Sequence, residues 1–446
     1  MSFTDDLAAF RAAHPDIETV ELFMIDLNGM QRGKLVPMAA LDKLALGGMR
    51  MPPSTLALDL FSADTEGSGL AIERGDPDGV LRSVPGTLSP LPWTTRPTAQ
   101  IQVQPSELDG SPCPYDPREV LAGVAGRAEA AGLIPVMALE LEFYLIDADR
   151  PAPPISPVAS GRLEGAQIYD MNIATAFAPI IDEIVRSANA IGAPAETAIA
   201  EFGPGQFEIN LGHVAGALAA ADQMVALKRA VRGVARAHGM DASFMPKPYG
   251  DMAGSGMHLH MSLLREGQNI FDGADGPNAA ARHALAGMIG SMADCMLIFA
   301  PGANSYRRLA PGMYAPIVAA WGLDNRGVAL RMPETSGKGA RIEHRTAGSD
   351  ANPYLLTAAV LAGALAGLQA EQEPPAPIAA EAGEGDGAAL PLSWWTAGRG
   401  FAESAFVAEW MGTQFRDIFA AMKNQERATL IKQVPETEYA AYMRSL

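Results

Sequence analysis

MALELEFYLI, residues 137–146, sets two glutamates, Glu140 and Glu142, inside an otherwise apolar run. Alternate residues of a strand share a face. This spacing therefore points both carboxylates the same way, on the order of 7 Å apart along the backbone. Two negative charges side by side in a core are costly unless something positive meets them. The stretch predicts a strand with a dry face, carrying Leu141 and Phe143, and a face that needs cationic partners.

The rest of the chain narrows what those partners are. A length of 446 residues allows two or three domains. With 48% hydrophobic and 19% charged residues, the chain can bury a large core. A formal net charge of -18 argues against nucleic acid as a partner and suits a cationic ligand, although acidic surfaces also serve solubility alone. Cys113 and Cys295 stand far apart in no metal-like spacing, which excludes a disulfide framework and fits a reducing, cytoplasmic setting. The start, MSFTDDLAAFRAAHPD, carries acids early and no apolar stretch of signal-peptide length. PYLLTAAVLAGALAGLQA (353–370) is uncharged, but its Ala and Gly suit close helix packing, and Asn352-Pro353 is a helix start. It reads as a buried core helix rather than a membrane span.

After one N-terminal helix, residues up to 110 read as strands and turns: VELFMIDL (20–27), a turn at LNGMQRGKLVP (27–37), and TAQIQVQP (98–105). A boundary falls near SPCPYDPRE (111–119), where Asp116 caps a helix opened by Pro117. Two domains are expected, 1–112 and 113–446. Beyond the boundary come a helix to Gly132, the strand IPVMALELEFYLID, a helix over 177–192, and two strands around Gly203-Pro204-Gly205. An amphipathic helix (217–239) and the strand GSGMHLHMSLL (254–264) follow. Residues 371–391 form an acidic Pro/Ala/Gly loop expected to be mobile, and two helices are expected to close the chain.

Acids recur on strands: Glu140 and Glu142, Glu201 and Glu208 across the Gly-Pro-Gly turn, and Glu343 in RIEHR. His258 and His260, at i and i+2, share one strand face. Singly, each has a bland reading, since strand-edge Glu is usually solvated and a lone His is usually a hydrogen-bonded core or surface residue. Together they suit Mg²⁺ or Mn²⁺ better than zinc, because carboxylates dominate and no thiolate is available. Arg307, Arg308, Arg326, Arg331, Arg341 and Arg345, with Lys338, crowd one segment of an otherwise acidic chain. Guanidinium forks recognise carboxylate and phosphate. Metal-binding carboxylates beside such a field outline a phosphoryl-transfer site. Neither a P-loop nor a dinucleotide-binding glycine motif is present.

In this order the motifs ELEFYL, EFGPGQFEINL, AGSGMHLHMSL, NSYRRLAPGMYAP, NRGVALRMP and KGARIEHRTAGSDANPYL resemble the glutamine synthetase family over essentially the whole chain, and within it the bacterial γ-glutamylpolyamine synthetase branch. The resemblance implies an α+β fold: an N-terminal β-grasp-like domain, and a catalytic domain built on a curved antiparallel sheet with flanking helices. It implies two stacked hexameric rings with active sites between subunits. It makes Glu142, Glu201 and Glu208 the ligands of one metal, and Glu140, His258 and Glu343 those of a second, with two or three ions per site. Arg308 would hold the α-carboxylate of glutamate, with Gly254 in the loop over it. Arg326 and Arg345 would serve the γ-carboxyl and the transferring phosphoryl. Arg331, Lys338 and His260 would contact ATP. Asp59 and Tyr169 would meet the amine, Asp59 from the neighbouring subunit, and Glu201 would take its proton.

Two departures bear on the amine. The family's ammonium-using members read RLxPGxEAP, where this chain has Tyr314 in place of the glutamate, and an NGSGMH loop begins here with Ala253. A phenol cannot offset the charge of ammonium, though its ring can face a cation. The expectation is an ATP-dependent γ-glutamyl–amine ligase for putrescine or another polyamine. The alternatives are ammonium-using glutamine synthetase, a ligase for a monoamine such as ethanolamine or methylamine, and a catalytically silent structural member.

Overall fold

The computed structural model describes residues 3–148, 167–310, 312, 314–383 and 385–445. Pro311 and Met313 of the RLAPGMYAP motif lie outside them. In the N-terminal region the strands are β1 (Thr19–Ile25), β2 (Gln31–Pro37), β3 (Arg50–Met51), β4 (Gly79–Ser83), β5 (Ser89–Pro90) and β6 (Thr98–Ser106). They form one sheet in the order β2-β1-β6-β4-β3, with β5 also on β6 and β1 parallel to β6.

The larger sheet is laid down by β7 (Ile134–Asp147), β8 (Ala195–Ala200), β9 (Gln206–Leu211), β10 (Val214–Ala215), β11 (Met240–Ser243), β12 (Met257–Arg265) and β13 (Gln268–Asn269). A short β14 (Val318–Ala319) is followed by β15 (Trp321–Leu323), β16 (Leu330–Glu334), β17 (Arg341–His344) and β18 (Ala388–Ala389). The main path is β15-β16-β17-β12-β7-β9-β8, antiparallel except for the β15–β16 pair. β14 pairs with β18 apart from it. The α+β class holds. The inward residues of β7, β9 and β12, among them Leu139, Leu141, Phe143, Ile209, Met257 and Leu259, are fully buried.

Local chemistry explains the helices behind this sheet. The Asp116 carboxylate accepts from Arg118 N at the start of Pro117–Ala130, and Asn352 accepts from Tyr354 N at the start of Pro353–Ala370. The latter helix is long and apolar enough to cross a membrane, but 78% of it is buried inside the protein. It packs against Ala279–Met292 at backbone contact: a Cβ on Gly367 would fall 2.0 Å from His283 O, and one on Gly287 2.2 Å from Gly363 O. The helices also hold the N-terminal sheet. Arg229, on Ala217–Ala237, bonds Gln100 at 2.6 Å and Glu21 at 2.6 Å. Tyr354 Oη accepts from Gln102 and donates to Asp222, both at 2.6 Å.

Three readings of the sequence change. The helix expected from 177 begins at Met171, because Asp170 accepts from Asn172 N and caps it there. Four helices, not two, close the chain: Trp394–Glu403, Ala405–Met411, Thr413–Ile431 and Glu436–Tyr442. Ser404 ends one and caps the next, and Gly412 at φ 99° separates the second from the third. The acidic loop after Ala370 is fastened rather than loose. Trp321 Nε1 donates to Pro375 O, Asn325 Nδ2 to Ile378 O and Ala380 O, and Ala382 N to Gly327 O.

Candidate active site

Strand register brings the predicted acids and histidines together. Glu140 on β7 stands opposite His258 on β12 on one side and opposite Asn210 on β9 on the other. Glu142 faces Glu208, His260 faces Glu343, and Glu343 faces Arg331 on β16. One face of five adjacent strands thus carries the polar set, and Glu201 follows directly after β8. Glu140 accepts from His258 Nδ1 at 3.2 Å and from His260 Nε2 at 2.9 Å. Arg341 Nε donates to His260 Nδ1 at 3.3 Å, which fixes the His260 proton on the nitrogen facing Glu140.

The charges do not balance locally. Burial works to raise the Glu140 pKa, but its bonds from His258 and His260 win and hold it well below the usual range. Glu343 is also lowered: burial opposes, while Arg345, His260, His258 and Arg331 outweigh it. Glu208 is pushed well above the usual value by burial and then by Glu140, Glu142 and Glu201. Burial and Glu142 raise Glu201 to about 7. Buried acids that raise one another's pKa in this way mark a site short of positive charge.

A divalent cation fits that deficit. Ligand atoms of Glu140, Glu208 and His258 lie within 4.8 Å of one another, as do those of Glu140, His260 and Glu343. Glu343 Oε2 and Asn210 Oδ1 are buried without a hydrogen-bond partner. Glu343 Oε2 and Arg331 Nε approach to 2.6 Å as an ion pair without the alignment of a hydrogen bond. These groupings differ from the two ligand sets implied by resemblance: Glu140 belongs to both, and His260 joins one. Glu142 is in neither, its Oε2 accepting from Gly256 N at 2.6 Å, and Glu201 stands at the edge with a bond from Phe202 N.

Arg308 and Arg345 are buried beside the acids. Arg345 Nη1 donates to Glu343 Oε1. Arg308 donates to Thr346 O at 2.8 Å and lies under the Gly254–Gly256 turn. A Cβ on Gly254 would come 2.8 Å from Arg308 Cγ, and one on Gly256 2.6 Å from Arg308 Nη2, so both glycines are needed for this close approach. Gln206 Nε2, bonding Gly254 O and Ser255 Oγ, and Ser349 Oγ, bonding Glu142 O and Gly256 O, hold the turn. Sequence reasoning missed these two positioning residues, and Asn210 as well, although Asn210 carried a signal, lying two residues from Glu208 on its own strand; Arg341 was named in the arginine cluster without this role.

Arg331 is buried against Glu343 within the cluster, and the remaining predicted residues lie further out: Lys338 is exposed in the β16–β17 connection. Arg326 is exposed, and its guanidinium is bonded by the Tyr169 hydroxyl, which strengthens its hold on its proton. Tyr314 is 62% exposed at φ 51°. Asp59 is buried, and its carboxylate accepts from Phe61 N and Ala63 N on Oδ1 and from Gln425 Nε2 on Oδ2, all of its own chain.

Comparison with known proteins matches the profile of the glutamine synthetase catalytic domain to residues 114–442. The γ-glutamylputrescine synthetase PuuA of Escherichia coli (strain K12) is 38% identical over 98% of this chain and 94% of its own. A glutamate–isopropylamine ligase of Pseudomonas sp is 34% identical over 81% of this chain and 80% of its own. Among solved structures, one described as a GmaS/ADP complex superposes with a TM-score of 0.87 at 29% identity, covering 99% of this chain and all of that one.

Proposed function

This chain belongs to the glutamine synthetase family, and on that premise we propose that it joins the γ-carboxyl of glutamate to an organic amine, putrescine being the leading candidate. Family membership makes it an ATP-dependent carbon–nitrogen ligase. The observation that carries the amine reading is Tyr314, which stands where the family's ammonium-using members place a glutamate. The names of the γ-glutamylputrescine synthetase and the glutamate–isopropylamine ligase among its relatives agree with it.

In this reading Arg308, rigid beneath Gly254 and Gly256, pairs with the α-carboxylate of glutamate. Its burial leaves it short of an anion, since burial lowers its pKa. A γ-carboxylate oxygen attacks the terminal phosphorus of ATP, ADP leaves, and γ-glutamyl phosphate results. Arg345, with Arg326 further out, offsets charge on the phosphoryl oxygens. Arg331, His260 and Lys338 serve the nucleotide side. The amine nitrogen then attacks the acyl carbon, the carbon–oxygen bond to phosphate breaks, and Glu201 accepts the proton the amine must lose. Half-buried just after β8, at the rim of the acid cluster, the Glu201 carboxylate is placed for that exchange. Glu140, Glu142, Glu201, Glu208, His258, His260 and Glu343 would hold the Mg²⁺ or Mn²⁺ ions. Bound there, such ions lend Lewis-acid polarisation and charge neutralisation to phosphoryl transfer.

The same reading includes assembly into stacked rings with sites shared between subunits. The exposure of Leu35 (72%), Leu60 (52%) and Phe61 (48%) on the N-terminal region, and of Tyr439 and Tyr442 on the last helix, supports it. The test of function is glutamate-dependent ADP release with putrescine, spermidine, ethanolamine, methylamine and ammonium. The expected order has putrescine or spermidine first. Ammonium ahead of every alkylamine would refute it.

A further inference from the structure

A cavity of about 300 Å³ lies between the Gly312–Ile317 loop and Glu381–Gly383 of the acidic loop. Tyr314, Gly327 and Glu381 are part of its wall, and Glu381 is the one charged side chain among the described residues that line it. Its wall runs into the strands that carry the acid cluster: Gly327 O accepts from Ala382 N, and two residues on Ala329 O accepts at 3.0 Å from the backbone N of Arg345, the partner of Glu343.

The wall is built with some rigidity. Asn325 Nδ2 donates to Ile378 O at 2.9 Å and to Ala380 O at 2.7 Å, and Ala382 N donates to Gly327 O at 3.1 Å. These bonds bracket Glu381 on both sides and leave its side chain exposed. Gly327 permits the approach: a Cβ there would lie 2.7 Å from Glu381 Cα. Arg326, next to Gly327 in the chain, is engaged by Tyr169. Tyr314, at φ 51° and 62% exposed, lines the cavity. An aromatic ring, an apolar wall and one unpaired carboxylate together describe a receptor for an alkyl chain ending in an ammonium group.

We propose that this cavity takes the distal end of the amine substrate, with the Glu381 carboxylate facing a second ammonium group and Tyr314 lying against the chain. The proposal rests on the γ-glutamyl–amine ligase reading and adds the residue that selects a diamine over a monoamine. It also gives the acidic loop a role that its composition alone does not suggest.

The experiment compares kcat/KM for putrescine with that for butylamine, which matches it in length but lacks the second charge. Wild type, Glu381→Gln and Glu381→Lys are assayed at saturating glutamate and ATP. Glu381→Gln is expected to lower the putrescine-to-butylamine ratio about two- to fivefold, the scale of an exposed charge pair. Glu381→Lys is expected to lower it further and to raise the use of 4-aminobutanoate, whose distal group is a carboxylate. A ratio that stays the same in both variants, with wild type still preferring putrescine, overturns the subsite alone. A wild type that turns over ammonium and neither amine overturns the ligase reading and the subsite with it.

Discussion

Replacing Glu201 by Gln should make the metal-free protein more stable at pH 8. Burial and Glu142 raise the Glu201 pKa to about 7 from an ordinary 4.5. The folded state therefore keeps a proton that the unfolded chain has already released. By linkage, that hold contributes stability below pH 4.5, is lost as pH rises, and is gone above pH 7. A shift of 2.5 units corresponds to about 3 kcal/mol, and the partial exposure of the side chain screens this to about 2 kcal/mol. Gln has the same shape and no charge, so it escapes the penalty, and it also relieves Glu208, which Glu201 pushes upward. For a chain of this length, about 2 kcal/mol is roughly a 2 °C rise in melting temperature. The assay is thermal unfolding in a chelator from pH 5 to pH 8. The gap between variant and wild type should open with pH, and saturating Mg²⁺ or Mn²⁺ should reverse its sign, because only wild type then gains the full ligand set. A variant that melts below wild type at pH 8 in chelator would refute the charge-crowding argument.

Gly254→Ala should lower kcat/KM for glutamate on the order of 10²-fold, because its Cβ would sit 2.7 Å from Pro246 O and 2.8 Å from Arg308 Cγ. Steady-state kinetics with glutamate varied reads this, and an unchanged glutamate KM would contradict the placement of Arg308. Tyr314→Glu should raise the use of ammonium relative to putrescine, measured as a ratio of kcat/KM values; no rise at all would refute the role given to that position. Gly367→Ala must push apart Ala279–Met292 and Pro353–Ala370, and overpacking of this kind costs about 1–3 kcal/mol or more. Differential scanning calorimetry should show a melting temperature lower by at least a degree or two.

The fold was legible where the local pattern and the tertiary structure agree. The alternation in β7 names both of its faces, and Asp116-Pro117 and Asn352-Pro353 mark helix starts that the caps realise. The chain positions of the acids and histidines were readable, but their grouping was not. The register of β7 against β12 decides that Glu140 meets both histidines, and register depends on pairings distant in sequence. The packing of Arg308 beneath two glycines was hidden for the same reason. The bonds that residues 61 and 63 and the distant Gln425 make to the Asp59 carboxylate were likewise hidden from the sequence. Composition marked 371–391 as mobile, but the side chains of Trp321 and Asn325, 53 to 55 residues before the carbonyls they bond, supply partners no local window contains.

The most direct measurement of the central claim follows an oxygen atom. Glutamate labelled with ¹⁸O in its γ-carboxylate is turned over with ATP and putrescine, and the inorganic phosphate is weighed by mass spectrometry. Passage through γ-glutamyl phosphate predicts one ¹⁸O in each phosphate released, alongside γ-glutamylputrescine. Unlabelled phosphate accompanying amide formation would contradict the account.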